Sequence, residues 1–249
     1  MAEPVRVIGS FLSPYVRKVL VCLDAKGLAY EIDPIIPFFG DERFSKLSPI
    51  RRIPVFTDDR VTLCDSSVIC QYLEDLKPSP PLLPADIRDR ARARWLEEFA
   101  DTRMGDVFIW RLFYRVAVGP AVWGDKRDAE QVARTLAEDV PAVLDYLEAE
   151  APVEGFRFGA PTLADIAPAC FIRNAHLSRF QIDATRWPRT AGWMARTLAL
   201  PVFEKLAVLE NATVRRPIPE HRDALRAAGA PLSAQTYAMG TPRRGVMPI

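Results

Sequence analysis

Over its first eighty residues the chain keeps changing its apolar rhythm, and that alternation most limits what it can fold into. PVRVIG, residues 4–9, alternates as a short strand. Val16, Val19, Leu20 and Leu23 then recur at helical spacing, and Gly27 can end that helix. AYEID, residues 29–33, reads as a second strand, and DERFSKLS follows as a short helical piece after a loop rich in Pro and Phe. Val55 to Thr57 and Val61 to Leu63 read as strands around a tight turn at Asp58 and Asp59, and SSVICQYLEDL is helical. The order is βαβ, then α, then ββα. A βαβ unit demands parallel strands and a tight turn demands antiparallel ones. The prediction is therefore an α/β domain with a mixed four-stranded sheet and helices packed on it.

KPSPPLLP, residues 77–84, holds four prolines in eight positions. Proline continues neither a helix nor a central strand, so a linker is expected over 79–85, between a first domain at 1–78 and whatever follows. Beyond it the strand rhythm stops. Helical patterns run over 86–117 and 126–149, with shorter ones at 162–179, 187–198 and 201–210, which predicts an all-helical second domain over 86–210. Residues 211–249 carry Pro217, Pro219, Pro231, Pro242 and Pro248 with little periodicity apart from HRDALRAAG. They read as a C-terminal extension, packed as an extended strap or partly disordered.

Composition excludes several function classes. Thirty-three basic residues against thirty-two acidic ones leave no global field to draw nucleic acid or an anionic membrane. Arg88, Arg90, Arg92 and Arg94 alternate with other residues and are flanked by Asp86, Asp89, Glu97 and Glu98, the pattern of a solvated helix face. No uncharged apolar run is long enough to span a bilayer, and the N-terminus lacks the apolar core of a signal peptide. Cys22, Cys64, Cys70 and Cys170 show no CxxC spacing and no neighbouring histidine, so no metal is expected. They read as buried free thiols of a cytoplasmic protein.

Four short motifs carry the remaining information, each with a purely structural explanation beside it. Pro54 in RRIPVF sits where a strand begins, where a missing N–H costs nothing. Asp65 and Ser66 lie where a strand feeds a helix N-terminus; either caps the helix, and the free N–H groups there also attract a carboxylate. In APTLADIA, Thr162 and Asp165 form a capping-box pair with Pro161 and Ile166 at the staple positions, which fixes where a helix begins. SFLSPYV, residues 10–16, places Ser10 and Ser13 just ahead of the first helix, as caps or as functional hydroxyls.

In combination these features resemble the cytosolic glutathione transferases: a βαβ–ββα half, IPVF before a hairpin, an acidic-Ser pair opening the next helix, a Pro-rich linker and a helical half with a Thr-x-x-Asp box. The resemblance covers about residues 4–210. It implies a thioredoxin-like glutathione-binding domain followed by a helical one, and a homodimer that takes a small-molecule electrophile as second substrate. It implies that Pro54 is a cis-proline, that Ile53 pairs through its backbone with the cysteinyl unit of glutathione, and that Asp65 and Ser66 hold the γ-glutamyl end. Arg52 stands where the family often has Lys or Gln, which implies a role at the glycyl carboxylate.

The family activates the thiol at the N-terminus of the first helix, and Ser13, directly before Pro14, matches its Ser-Pro or Cys-Pro classes. Ser10 lies nearer the strand and Tyr15 inside the helix. A free thiol has a pKa of about 8.5. A charge-assisted hydrogen bond contributes roughly 1.5–3 kcal/mol and a helix N-terminus about 0.3–1. At about 1.4 kcal/mol per unit, Ser13 as a donor to sulfur brings the thiolate into the physiological range. Arg17, one turn on, could add positive potential there, but reads first as a surface arginine. Phe11, Leu12, Phe38 and Phe39, with Met104, Phe108 and Arg111 from the long helix, are candidates for the electrophile pocket or for the core. Glutathione-dependent isomerisation, peroxide reduction and a non-catalytic interaction role stand as alternatives to conjugation.

Overall fold

A computed structural model describes residues 5–245; the expectations for residues 1–4, including Pro4 as the first strand residue, and for residues 246–249 lie outside them. Four strands form one sheet in the order β2-β1-β3-β4. Strand β1 (Val5–Ile8) pairs in parallel with β2 (Tyr30–Asp33), from Val5 opposite Tyr30 to Ile8 opposite Asp33. Strand β3 (Val55–Thr57) runs antiparallel to β1 and to β4 (Thr62–Leu63). Asp58 makes the hairpin turn: its carboxylate accepts from the N–H groups of Arg60 and Val61 at 2.9 and 2.8 Å, an Asx-type closure.

Helix α1 (Pro14–Ala25) connects the parallel pair, with Pro14 in its first turn, where no N–H is needed. Gly27 ends it at φ +60°, the left-handed conformation that a side chain resists. Helix α2 (Glu42–Leu47) is capped by Asp41, and helix α3 (Ser66–Leu76) follows β4. The apolar stripe of α1 is buried as its spacing predicts, and so are Ile69, Cys70 and Leu73 of α3. Cys22 and Cys70 meet at 3.4 Å as free thiols.

The reading of Arg17 as a surface residue is corrected. It is 1% exposed, and its Nε donates to the Glu210 carboxylate at 2.5 Å. Lys26 is likewise enclosed and donates to Glu74 and to the Pro80 carbonyl. A charge buried this way is retained only because its partners replace water.

The described chain divides into two compact units, one of residues 81–204 and one that joins residues 5–80 to 205–245. In the first of these, α4 (Ile87–Phe99) continues with π-type winding over Ala100–Val118 and ends as α5 (Gly119–Trp123). Helices α6 (Ala129–Arg134), α7 (Val140–Glu150), α8 (Leu163–Leu177) and α9 (Pro188–Leu198) follow. Helix α10 (Pro201–Thr213) spans the division. The fold is thus a thioredoxin-like α/β domain followed by an all-helical one. Arg88, Arg90 and Arg94 lie exposed on α4, and Arg92 pairs with Glu150, the solvated face that their spacing predicts.

The Thr162–Asp165 box does more than start a helix. Asp165 is fully buried, and its Oδ2 accepts from the N–H and hydroxyl of Thr162 at 2.8 and 2.9 Å. Its Oδ1 accepts from the Arg157 N–H at 2.8 Å and from the Trp193 indole at 2.7 Å. One carboxylate therefore fastens the start of α8, the loop before it and α9. Asp165→Ala leaves four donors without their acceptor, two of them on fully or nearly fully buried side chains. A loss of about 2–4 kcal/mol in unfolding free energy is expected, read from urea denaturation.

Candidate functional site

The loop after β1 turns at Gly9, whose φ of +152° suits glycine. A Cβ there would lie 2.5 Å from Val16 Cγ2 and 3.1 Å from Ile53 Cβ. Gly9 thereby lets the loop carrying Ser10 and Ser13 pack against both α1 and the segment before β3. Its N–H donates to the Asp33 carbonyl at 2.9 Å, which ties the same loop to the end of β2.

Ser13 is the N-cap of α1: its backbone is extended and its Oγ accepts from the Val16 N–H at 3.4 Å. A hydroxyl has two lone pairs and one hydrogen, so capping as an acceptor leaves the donor function available. Ser10 is buried; its Oγ accepts from the Leu12 N–H at 3.2 Å and its carbonyl from the Ser13 N–H at 3.0 Å. Tyr15 is half-buried within the helix.

Asp65 caps α3. Its Oδ1 accepts from the N–H groups of Ser67 and Val68 at 2.9 and 3.0 Å, while Oδ2 takes neither bond. Asp65 is exposed and Ser66 is buried behind it. The Lys18 ammonium, fully enclosed in α1, donates to the Ser67 hydroxyl at 3.0 Å and so links the starts of the two helices. Between them, the Ile53–Pro54 peptide bond is cis. The ladder of β3 begins only at Val55, so the backbone of Ile53 takes no part in it.

Arg51 and Arg52 look alike in sequence and are unlike in the structure. Arg51 is buried at φ +52°. Its Nη2 donates to the Gly40 carbonyl at 2.7 Å, its Nη1 donates to the Ser45 hydroxyl, and its guanidinium lies 5.7 Å from the Phe44 ring. Burial, aided by the nearby positive charge of Arg243, lowers its pKa from the usual arginine value. Arg52 has an exposed side chain, while its N–H and carbonyl are both held by the Ser48 hydroxyl at 2.9 Å.

The expected pocket residues fare differently. Met104 and Phe108 are fully enclosed core side chains, and Phe11 and Phe38 are buried too. The sequence left both readings open, because one helical face of apolar residues serves a core as well as it serves a pocket. Leu12 and Phe39 are half-buried. Arg111 is bound to Asp106 and Asp139 at 3.0 and 3.3 Å. Sequence reasoning missed Gly9, Lys18 and the different fates of the two arginines. Only Gly9 left a readable signal, a glycine between a strand and a helix cap.

Two helix N-termini, each capped by a side chain with bonding capacity left over, flank a cis-proline segment on a small mixed sheet. That arrangement defines a thioredoxin-like, glutathione-transferase-type domain. Residues 7–81 match the family model of the glutathione S-transferase N-terminal domain. A glutathione S-transferase of Triticum aestivum is 36% identical over 205 residues, covering 82% of this chain and 92% of its own. Maleylacetoacetate isomerase of Mus musculus is 25% identical over 193 residues, 75% of this chain and 84% of its own. A solved glutathione S-transferase structure from Sinorhizobium meliloti superposes with a TM-score of 0.76 at 22% identity, covering 89% of this chain and 99% of its own. The chain belongs to the glutathione S-transferase family, a family of glutathione-dependent enzymes.

Gly9→Ala is expected to cost about 1–3 kcal/mol, because the added methyl overlaps Val16 and crowds Ile53. Gly27→Ala meets only the Lys77 ammonium, at 3.6 Å, and is expected to cost less; chemical denaturation of both variants makes the comparison.

Proposed function

We propose that this protein is a glutathione transferase that holds the thiolate of glutathione with the Ser13 hydroxyl and conjugates it to an apolar electrophile. The observation that carries the reading is the orientation of the Ser13 cap. The hydroxyl accepts from the Val16 N–H, which keeps its own hydrogen for a bound sulfur at the positive end of α1. Ser13 then acts as a hydrogen-bond donor, and the sulfur of glutathione forms the bond to carbon as the carbon–halogen bond of a halogenated substrate breaks and halide leaves, or as an activated double bond opens and takes a proton from solvent. The proton leaving the thiol passes to solvent, since the free thiol is already close to its titration range.

The rest of the peptide has groups of fitting chemistry around it. Asp65, with Oδ2 outside the cap bonds, suits the γ-glutamyl ammonium, and Ser66 and the N–H groups opening α3 suit its carboxylate. The N–H and C=O of Ile53, next to Pro54, suit the cysteinyl backbone. The exposed Arg52 suits the glycyl carboxylate. The enzyme works in the cytoplasm as a homodimer in this reading, as its family does. In this reading residues 1–78 are the glutathione-binding domain and 86–210 the helical domain.

A second reading, glutathione-dependent isomerisation, is favoured by one observation: the similarity to maleylacetoacetate isomerase. It uses the same thiolate, which adds to an unsaturated substrate and leaves again after bond rotation. Glutathione would then be returned unchanged.

Calorimetric titration with glutathione tests the shared part, and an absence of binding overturns both readings. The thiolate absorbance of the complex, followed against pH, tests the activator. Ser13→Ala is expected to raise the thiol pKa by about 1–2 units, the equivalent of losing one charge-assisted hydrogen bond. An unchanged pKa rules Ser13 out. Glutathione consumed one-for-one with a halogenated aromatic supports conjugation, and turnover of a cis-unsaturated diacid without consumption supports isomerisation.

A further inference from the structure

The C-terminal segment is built into the glutathione half of the chain. After α11 (His221–Ala227) it runs extended along the edge of the sheet. β2 pairs with β1 on one side only, so its other edge is a row of backbone groups in need of partners. The segment supplies them: the Ile32 N–H donates to the Pro231 carbonyl at 2.8 Å, and the Ser233 N–H donates to the Ile32 carbonyl at 3.0 Å. Leu232 stands in parallel register with Ile32.

Asp33, at the end of β2, is the anchor. Its carboxylate has no exposed surface; Oδ1 accepts from Arg222 at 2.9 Å and Oδ2 from the Tyr237 N–H at 2.7 Å. Burial raises its pKa above the ordinary aspartate value even against these donors. Its main-chain carbonyl holds Gly9 of the serine loop. One residue thus grips the C-terminal segment with its side chain and the Ser13 loop with its backbone.

Further on, the segment clasps the turn before α2. The Asp41 N–H donates to the Tyr237 carbonyl at 2.8 Å. The N–H groups of Met239 and Arg243 donate to the carbonyls of Phe39 and Phe38, both at 2.7 Å. Arg43 reaches back to the Thr236 carbonyl at 2.7 Å with its guanidinium 5.0 Å from the Tyr237 ring. Tyr237 packs on the cluster of Ile8, Ile35, Phe44 and Val55, which Ile53 also joins. The same turn is what Arg51 holds through Gly40, and Arg51 adjoins Arg52, Ile53 and Pro54.

We propose that residues 231–243 act as a positioning strap: an added edge strand that fixes the 37–41 turn and, through Arg51, pre-orders the 51–54 segment that binds glutathione. The binding role of that segment rests on the proposed function; the strap itself rests on the contacts above. Ordering a loop before the ligand arrives lowers the cost of binding, so the strap acts on glutathione affinity and leaves the chemical step alone.

The test uses the full chain. Tyr237→Pro removes the N–H that Asp33 accepts, and Arg43→Ala, at an exposed position, opens the clasp from the other side without a change in the core. Amide hydrogen exchange is expected to quicken at Phe39 to Asp41 in both variants, with β1 and β3 still protected. The Kd for glutathione is expected to rise about three- to tenfold, while kcat at saturating glutathione stays within about twofold. Tyr237→Phe, which keeps ring and N–H, is expected to match the wild type. Faster exchange with an unchanged Kd overturns the proposal, as does unchanged exchange in both variants, or a fall in kcat with Kd unaltered. If the wild type itself fails to bind glutathione, the proposed function falls; the exchange measurement then still decides whether the strap holds the turn.

Discussion

The close approach of Gly9 to Val16 and Ile53 is the contact on which the rest of the α/β domain depends. Because no side chain stands at residue 9, the end of β1, the start of α1 and the segment before β3 share one small volume. Each brings a different chemical group to that volume: a hydroxyl from the serine loop, a peptide backbone from the cis-proline segment and, through the Lys18–Ser67 bond, the start of α3. Any larger residue at position 9 would push the start of α1 and the segment before β3 apart.

Buried charges orient the segments around that volume. Arg17 with Glu210, Lys26 with Glu74 and Asp33 with Arg222 are each enclosed on at least one side and matched by partners. Ion pairs of this kind add little net stability compared with apolar packing, yet removing one partner is costly. Their value is directional. A carboxylate that accepts from several N–H groups admits few arrangements of the elements that supply them, whereas an apolar contact admits many.

Much of the fold was legible because its signals are local. The change from period two to period 3.6 located β1, α1 and β2, and turn chemistry located the Asp58 hairpin. The Thr162-x-x-Asp165 pair announced α8, although nothing in those four residues announced Trp193 as a further partner. The candidate site was legible in part, since Ser13, Asp65 and Pro54 all stand at element boundaries. The role of Met104 and Phe108 was not legible: they repeat on one helical face, and such a face looks the same whether it meets a ligand or a core; both side chains are enclosed.

By itself the sequence determined which segments are helix or strand, where the caps fall and that one half mixes strands with helices while the other does not. Those properties follow from interactions spanning two to five residues. Only the tertiary structure decided that Arg17 is buried, because its partner Glu210 lies 193 positions away. It alone separated Arg51 from Arg52, since the difference rests on the Gly40 carbonyl and the Phe44 ring. It alone decided that residues 231–243 pack as a strap, because the bare edge of β2 exists only once the sheet has formed. Contacts between distant segments leave no mark in local periodicity, and that is where the two levels part.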